Sequence, residues 1–366
     1  MTDHKHLKRL VRRRSARTGE SYTTARRHVL AARRDLPNTV RHQPSDLARR
    51  LLPTGTDLSE PMVCGLGGGI GFMAAVFDYR GMPPILTIVA QHHPAPWTPT
   101  VLRRLGIPFT EAHSTAPASA LKALRSSLAE GRPVYCTVSA ARLPWRSVPV
   151  PVDADPYGIV VTGEDDDGFA VHDAGPHRLP VDGFLDAWSA HRKGRHHRIV
   201  VTGAPAPAVA LEDAVTAAVA ETAAHLTGPV LGNAFDANFG FAGMTRLAAQ
   251  LRDTRTRTGF ARRFAAPDAF AFVLRRVHEC LEEQYTAPAA TRPIYADFLD
   301  EAAAVSGRLR LAEAAAAFRT SAAAWSAMSA TAREPDGSEP AAVFAVLAEL
   351  LDEARAVEEA AVDLLR

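Results

Sequence analysis

Short runs rich in Val and Ile, each bounded by Gly, Pro or Asp, mark the middle of this chain. They read "PPILTIVA" (83–90), "PVYCTVSA" (133–140), "YGIVVTGEDD" (157–166), "GFAVHDAG" (168–175) and "HHRIVVTG" (196–203), and each predicts a β-strand. Between them lie helical patterns, chiefly "PSDLARRLL" (44–52) and "ASALKALRSSLAEG" (118–131). From 157 onward the strands follow one another with only turns between, which predicts an antiparallel half-sheet. Helices first and antiparallel sheet later is an α+β arrangement and not a doubly wound one. After "GAPAPAVA" (203–210) the pattern is alanine-rich and helical to Arg366. It is broken at "TGPVLGNAFDANFGFAG" (227–243), "TAPAATRP" (286–293) and "REPDGSEP" (333–340), each carrying turn residues.

The first 36 residues differ from both regions. They hold eleven Lys and Arg against three acids and predict two short helices broken at Gly19, with Ser21 as N-cap of the second. The expected organisation is therefore a basic helical arm (1–36), an α+β domain (37–203) and an all-α helical domain (204–366). The arm reads either as a solvated hairpin or as a docking segment for an acidic partner, a carrier protein or nucleic acid. DNA binding is the weaker reading, because no strand precedes the helix pair as it would in a ribbon-helix-helix repressor.

Composition adds limits. Net charge is only +2 and 47% of residues are hydrophobic, as in an ordinary globular protein. There is no apolar run long enough for a membrane span and no apolar stretch after the basic N-terminus that would make a secretory signal. Cys64, Cys136 and Cys280 are far apart, which argues against a disulfide framework and suits the cytoplasm.

Candidate chemistry centres on "CGLGGGIGF" (64–72), with glycines at 65, 67, 68, 69 and 71. A dinucleotide fingerprint needs glycines at relative positions 1, 3 and 6, and neither frame supplies them. A phosphate-binding loop needs Gly-Lys-Ser or Gly-Lys-Thr, and no lysine is near. The stretch is left as a turn that needs close backbone approach or positive φ. Cys64 reads either as a packed apolar residue or as a nucleophile lacking an evident base.

The histidines raise the question of metal. His92 and His93 in "QHHPAPW" read as loop residues before prolines, and "HRKGRHHR" (191–198) reads as a solvated basic turn. The spacing of His191, His196 and His197 matches no standard zinc pattern, and Asp165–Asp167 read as a hairpin tip. No metal or cofactor is expected.

The order of landmarks "LSEPMVCGLGGGIGF", "PPILTIVA", "EGRPVYCTVSAARLPW" and "YGIVVTGEDDDGFAVHDAG" resembles the N-terminal domain of the butirosin-biosynthesis BtrH family. The part after 204 resembles the helical domain of unknown function that follows it, most clearly at "RPIYADFLDEAA" (292–303). The resemblance implies a papain-like, cysteine-peptidase-like fold. It also implies an acyltransferase that moves an aminoacyl group from an acyl carrier protein to an aminoglycoside amine. Such a site would use a thiolate, a histidine base and an orienting acid.

Carried onto this chain, the family's His-Cys pair falls on "RHQPSDLARRLL" (41–52). His42 matches the histidine, but Gln43 stands at the cysteine. Tyr157 stands at the base histidine, Asp173 matches the orienting acid, and Ser139 stands at a further acid. Gln cannot form a thioester, and Tyr is a poor base at neutral pH. Ser45 with His42 offers a substitute nucleophile pair, although a serine near a helix start is far more often a cap and "PSDLA" suits a cap well.

Two functions follow. One is a BtrH-like acyl or aminoacyl transferase-type protein, with a carrier protein as acidic partner and a small-molecule amine as acceptor. The other is a catalytically dead papain-fold protein that binds or scaffolds a partner such as a peptide.

Overall fold

The computed structural model describes residues 40–80, 82–146, 156–191, 194–205, 209–335 and 338–366. The basic arm predicted over 1–36 lies outside the described residues. Residues Arg41–Arg366 make one compact unit.

The chain enters through α1 (Gln43–Leu51) and α2 (Glu60–Leu66). Ser59 caps α2, its Oγ accepting from the Met62 N–H at 3.0 Å, and Pro61 stands in the first turn, where a missing N–H costs nothing. α2 ends in the glycine stretch, which turns directly into β1 (Ile70–Phe77). β1 forms an antiparallel hairpin with β2 (Ile85–Gln91), interrupted by a register shift between Ile70 and Met73. The alternation that predicted β2 is plain in the sequence, whereas β1 hides behind the glycines.

The second sheet has six strands: β3 (Phe109–Ala112), β4 (Val134–Ser139), β5 (Pro156–Asp165), β6 (Gly168–His172), β7 (Pro176–Leu179) and β8 (Arg198–Val201). Their spatial order is β3-β8-β4-β5-β6-β7, and every pairing is antiparallel. The expected antiparallel half-sheet is thus the β5-β6-β7 meander of a sheet that is antiparallel throughout. Side chains alternate between its faces, as the pleat requires. Val134, Cys136, Val138, Ile159 and Val161 join one core with Ala120 and Leu124 of α4 (Pro117–Ala129) and Phe184, Ala187 and Trp188 of α5 (Val181–Ala190). Tyr135 and Val160, one residue out of step, pack instead with Leu47 and Leu51 of α1. That puts α1 on the opposite face, with its first turn over β5. α3 (Trp97–Arg104) follows β2 and packs beside α1 and α2.

The remainder of the described chain is helical: α6 (Leu211–Thr227), α7 (Gly240–Arg252), the short α8 (Phe260–Arg263), α9 (Pro267–Glu282), α10 (Arg292–Ser306), α11 (Arg310–Arg333) and α12 (Pro340–Leu365). A mixed α/β region followed by a helical region is therefore observed. The two parts share their cores. Phe72, Ala74, Leu86, Ile88 and Ala90 of the hairpin are buried among residues of α7, α8, α9, α11 and α12. Val63, Leu66 and Val101 pack with Val215, Tyr295, Phe298 and Phe318.

The turn answers why the glycines are there. A Cβ at Gly65 would sit 2.2 Å from the Phe298 ring, one at Gly67 2.2 Å from the Trp97 indole, and one at Gly68 2.3 Å from the His92 ring. Gly68 and Gly69 also have φ of +113° and +65°, which L side chains rarely adopt. The stretch is bare backbone against which four rings are packed.

Candidate active site

Three residues predicted from separate stretches of sequence meet at one carboxylate. Gln43 is the first residue of α1, where the chain turns out of the extended His42. Its amide Nε2 donates to Asp173 Oδ1 at 3.0 Å and to the Gly158 carbonyl at 2.8 Å. Tyr157, near the start of β5, donates its hydroxyl to the same Oδ1 at 2.7 Å. Asp173 follows β6 in a tight turn closed by its own N–H on the Gly175 carbonyl at 2.9 Å, with Ala174 held at φ +50°.

The other carboxylate oxygen, Oδ2, accepts from the Trp145 indole at 2.9 Å. Trp145 stacks on His177 with centroids 4.2 Å apart and planes 7° from parallel. His177 Nε2 lies 3.2 Å from the Asp173 main-chain oxygen, not from its carboxylate. The Arg146 guanidinium covers the Tyr157 ring at 4.6 Å. Burial, and then the Asp173 charge, push the Tyr157 hydroxyl up from its ordinary value, so it stays protonated and donates.

His42 and Ser45 form a second cluster. His42 Nδ1 is 2.6 Å from Ser45 Oγ, and Nε2 is 2.7 Å from Gln91 Oε1 at the end of β2. Both residues are fully buried. Burial, offset in part by Gln91, brings the His42 imidazole down to about 4, so it is neutral at pH 7. The reading of Ser45 as helix cap is corrected: His42 holds the N-cap position, with no side-chain capping bond, and Ser45 bonds the imidazole instead. The reason is that Pro44 places Ser45 a turn inside the helix, under His42. The backbone N–H groups of Arg41 and His42 are taken by Glu60 Oε1 at 2.9 and 2.7 Å.

Cys64 lies in the interior of α2 and is fully buried. Burial and the nearby Glu60 raise its thiol above the ordinary range, which leaves it a packed apolar residue. His172 faces away from the Asp173 cluster, its Nε2 2.5 Å from Asp46 Oδ2. Although burial opposes it, His172 and Arg50 hold the Asp46 carboxyl below its ordinary value.

The histidines are drier than the sequence suggests. His92 lies in the loop after β2, as expected, but it is buried, because the glycine turn leaves room for its ring. His196 and His197 form no solvated turn. His196 is fully buried between Ser189 and the Ser114 carbonyl, and His197 bonds Thr137 and Glu111. In each case a polar segment folds back on the protein: His92 onto the glycine turn and α6, His196 and His197 onto the residues around the sheet.

Trp145 and Gln91 were not singled out from the sequence. Nothing in "ARLPW" or "IVAQ" marks a polar partner, since each finds its neighbour only through the fold. Among the described residues His92, Glu221 and His225 form a group with metal-ligand chemistry, where none was expected. Its sequence signal was a Glu and a His four apart on one helix, a spacing that puts both on one face.

Residues 44–174 match the family Butirosin biosynthesis protein H, N-terminal. That N-terminal part is BtrH-like. Residues 189–365 match a second family, Domain of unknown function (DUF4872), so a BtrH-like domain is followed by a C-terminal domain of unknown function. No curated protein is a significant match to the chain.

Proposed function

We propose that this BtrH-like chain is a binding protein of acyl-transfer metabolism, whose N-terminal part is a papain-like fold with its covalent machinery replaced. In this reading it holds a carrier-borne acyl or aminoacyl group, or the amine that would receive it, without forming an acyl-enzyme. The observation that carries the reading is the Asp173 carboxylate, which accepts from Gln43, Tyr157 and Trp145, all neutral donors. A thiolate–imidazole pair would need a nucleophile at the start of α1, where the helix terminus favours an anion, and a base on β5. Gln43 and Tyr157 occupy those places. An amide cannot be acylated by a thioester to give a transferable group, and a phenol held protonated cannot take a proton at pH 7. The basic arm, outside the described residues, would suit an acidic carrier protein by charge.

A second reading keeps acyl transfer and assigns it to Ser45. The 2.6 Å contact of His42 Nδ1 with Ser45 Oγ favours it, and the full burial of both residues opposes it.

One experiment separates the two. The purified chain is incubated with an acyl-pantetheine thioester and weighed intact, and its affinity for acylated carrier protein and for an aminoglycoside is titrated. The expected result is saturable binding with no acyl mass gained. The double variant Gln43→Cys with Tyr157→His should acquire one acyl group at position 43. An adduct on the natural chain that disappears in Ser45→Ala would establish the second reading. Absence of both binding and acylation would overturn both.

A further inference from the structure

Gln91 ends β2 and His92 is the first residue after it, and their side chains turn to different partners. Gln91 meets His42, while the His92 ring turns to α6. There it faces Glu221 and His225, four residues apart on one face of that helix. His92 Nε2 is 3.1 Å from Glu221 Oε1, and the His92 and His225 rings are 4.2 Å apart between centroids. One ligand atom from each of the three lies within 4.8 Å of the others.

The His92 side chain has no solvent exposure; its Nε2 has the Glu221 carboxylate within ion-pair distance, and its Nδ1 has no hydrogen-bond partner among the described residues. A buried imidazole normally has a partner for each nitrogen it can use, which leaves this one a partner short. Glu221 is about one third exposed, so the group opens to solvent on the α6 side. Arg104 bonds the other Glu221 oxygen, Oε2, and is itself anchored on the Leu66 carbonyl at 2.5 Å. That contact orients the carboxylate and leaves Oε1 toward the two imidazoles. Such an outer hydrogen bond is the usual support of a ligating carboxylate. His93 takes no part, since it stacks on Phe239.

We propose that His92, Glu221 and His225 bind a single divalent transition-metal ion, zinc being the best fit. Two imidazoles and one carboxylate are a ligand set this ion favours, with a fourth position left for water. Zinc–ligand bonds of about 2.0–2.1 Å require donors about 3.4 Å apart, so modest side-chain rotation closes the present spacing. The ion would clamp the end of the β1-β2 hairpin to α6, next to the glycine turn. This site is independent of the Asp173 cluster and does not rest on the binding role proposed above.

The test uses the full chain, stripped with a chelator and titrated with Co²⁺ and with Zn²⁺. The expected result is one equivalent of Co²⁺ giving visible ligand-field bands, displaced by Zn²⁺, and a rise in unfolding temperature with Zn²⁺. His225→Ala and Glu221→Gln, both at partly exposed positions, should each weaken binding at least tenfold and abolish the rise in unfolding temperature. His92→Asn should do the same, and circular dichroism of the metal-free variants checks that they fold. No binding to the folded natural chain would overturn the site. So would binding that survives His225→Ala and Glu221→Gln, since it would then reside on other histidines, such as His4 and His6.

Discussion

Gln43 and Tyr157 matter at the scale of single residues, because an amide cannot serve as a thiolate nucleophile and a phenol held protonated cannot serve as a base at pH 7. Their identity was legible in the sequence; their meeting on one oxygen of Asp173 was not. Tyr157 is on β5 and Asp173 directly follows the neighbouring β6, but Gln43 is 130 residues from Asp173 along the chain. His42 shows the same limit. The sequence marks a histidine at a helix start, and only packing decides that it is dry. Its value of about 4 in the folded chain lies below the ordinary 6.5, so the unfolded chain takes up the proton first. The stability due to neutral His42 is complete above about 6.5 and is lost as pH falls from there to about 4, a loss of roughly 3 kcal/mol. His225 is displaced in the same direction, so the measurement is a comparison. Urea unfolding of the natural chain and of His42→Asn should show a smaller loss between pH 7 and pH 4.5 in the variant. Equal slopes would mean that His42 is not the buried neutral group described here.

Among elements, the join between hairpin and helices rests on one buried ion pair. Arg292, at the start of α10, meets Glu358 of α12 through two bonds of 2.8 Å, and both side chains are fully buried. The same guanidinium donates to the carbonyls of Gly71, Ala90 and Ala290, so it holds both hairpin strands. Glu358 also accepts from Ser321 Oγ at 2.5 Å and Trp325 Nε1 at 2.8 Å. Removing Glu358 would strand the Arg292 charge and two further donors, Ser321 and Trp325, in an apolar core. Glu358→Ala should therefore cost about 3–5 kcal/mol in chemical denaturation. The double change Arg292→Met with Glu358→Leu should recover much of that, though the hairpin carbonyls lose their donor; no recovery would show that these carbonyls dominate. In the sequence this Arg is the first letter of "RPIYADFLDEAA", a landmark of resemblance with no hint of a charge partner 66 residues on. Elements themselves were easier. β2, β4, β5, β6 and β8 stand out by their Val and Ile content, while β1, β3 and β7 do not. β1 is masked by glycine, and β3 and β7 have only four residues each, too few for alternation to register.

For the whole molecule, the Pro-Ala linker at 203–210 separates two textures of sequence but not two cores. Phe72, Leu86 and Ile88 find their burial among helices that begin after 240, and Val63 and Leu66 find theirs partly on α6 and α10. A chain ending at 203 would leave these faces in water. It should bind a hydrophobic dye and lack a cooperative thermal transition, whereas residues 37–366 should melt in one step. Independent melting of a 37–203 fragment at the temperature of the longer chain would contradict the shared core. Among the described residues no helix is long and apolar enough to cross a membrane.

What the sequence alone determined is what short range can carry: Val and Ile runs, the helical periodicity and alanine content of the C-terminal region, and the residue types at positions 43 and 157. These follow from local periodicity and from side-chain chemistry, which need no fold to be read. The tertiary structure alone decided which polar groups are dry and which distant groups share an atom. It turned a glycine stretch into a bed for Trp97, His92, Tyr295 and Phe298. It also brought His92 against α6 and made Arg292 the tie between hairpin and helices. Burial and long-range juxtaposition depend on how whole layers pack, and no window of sequence contains that information.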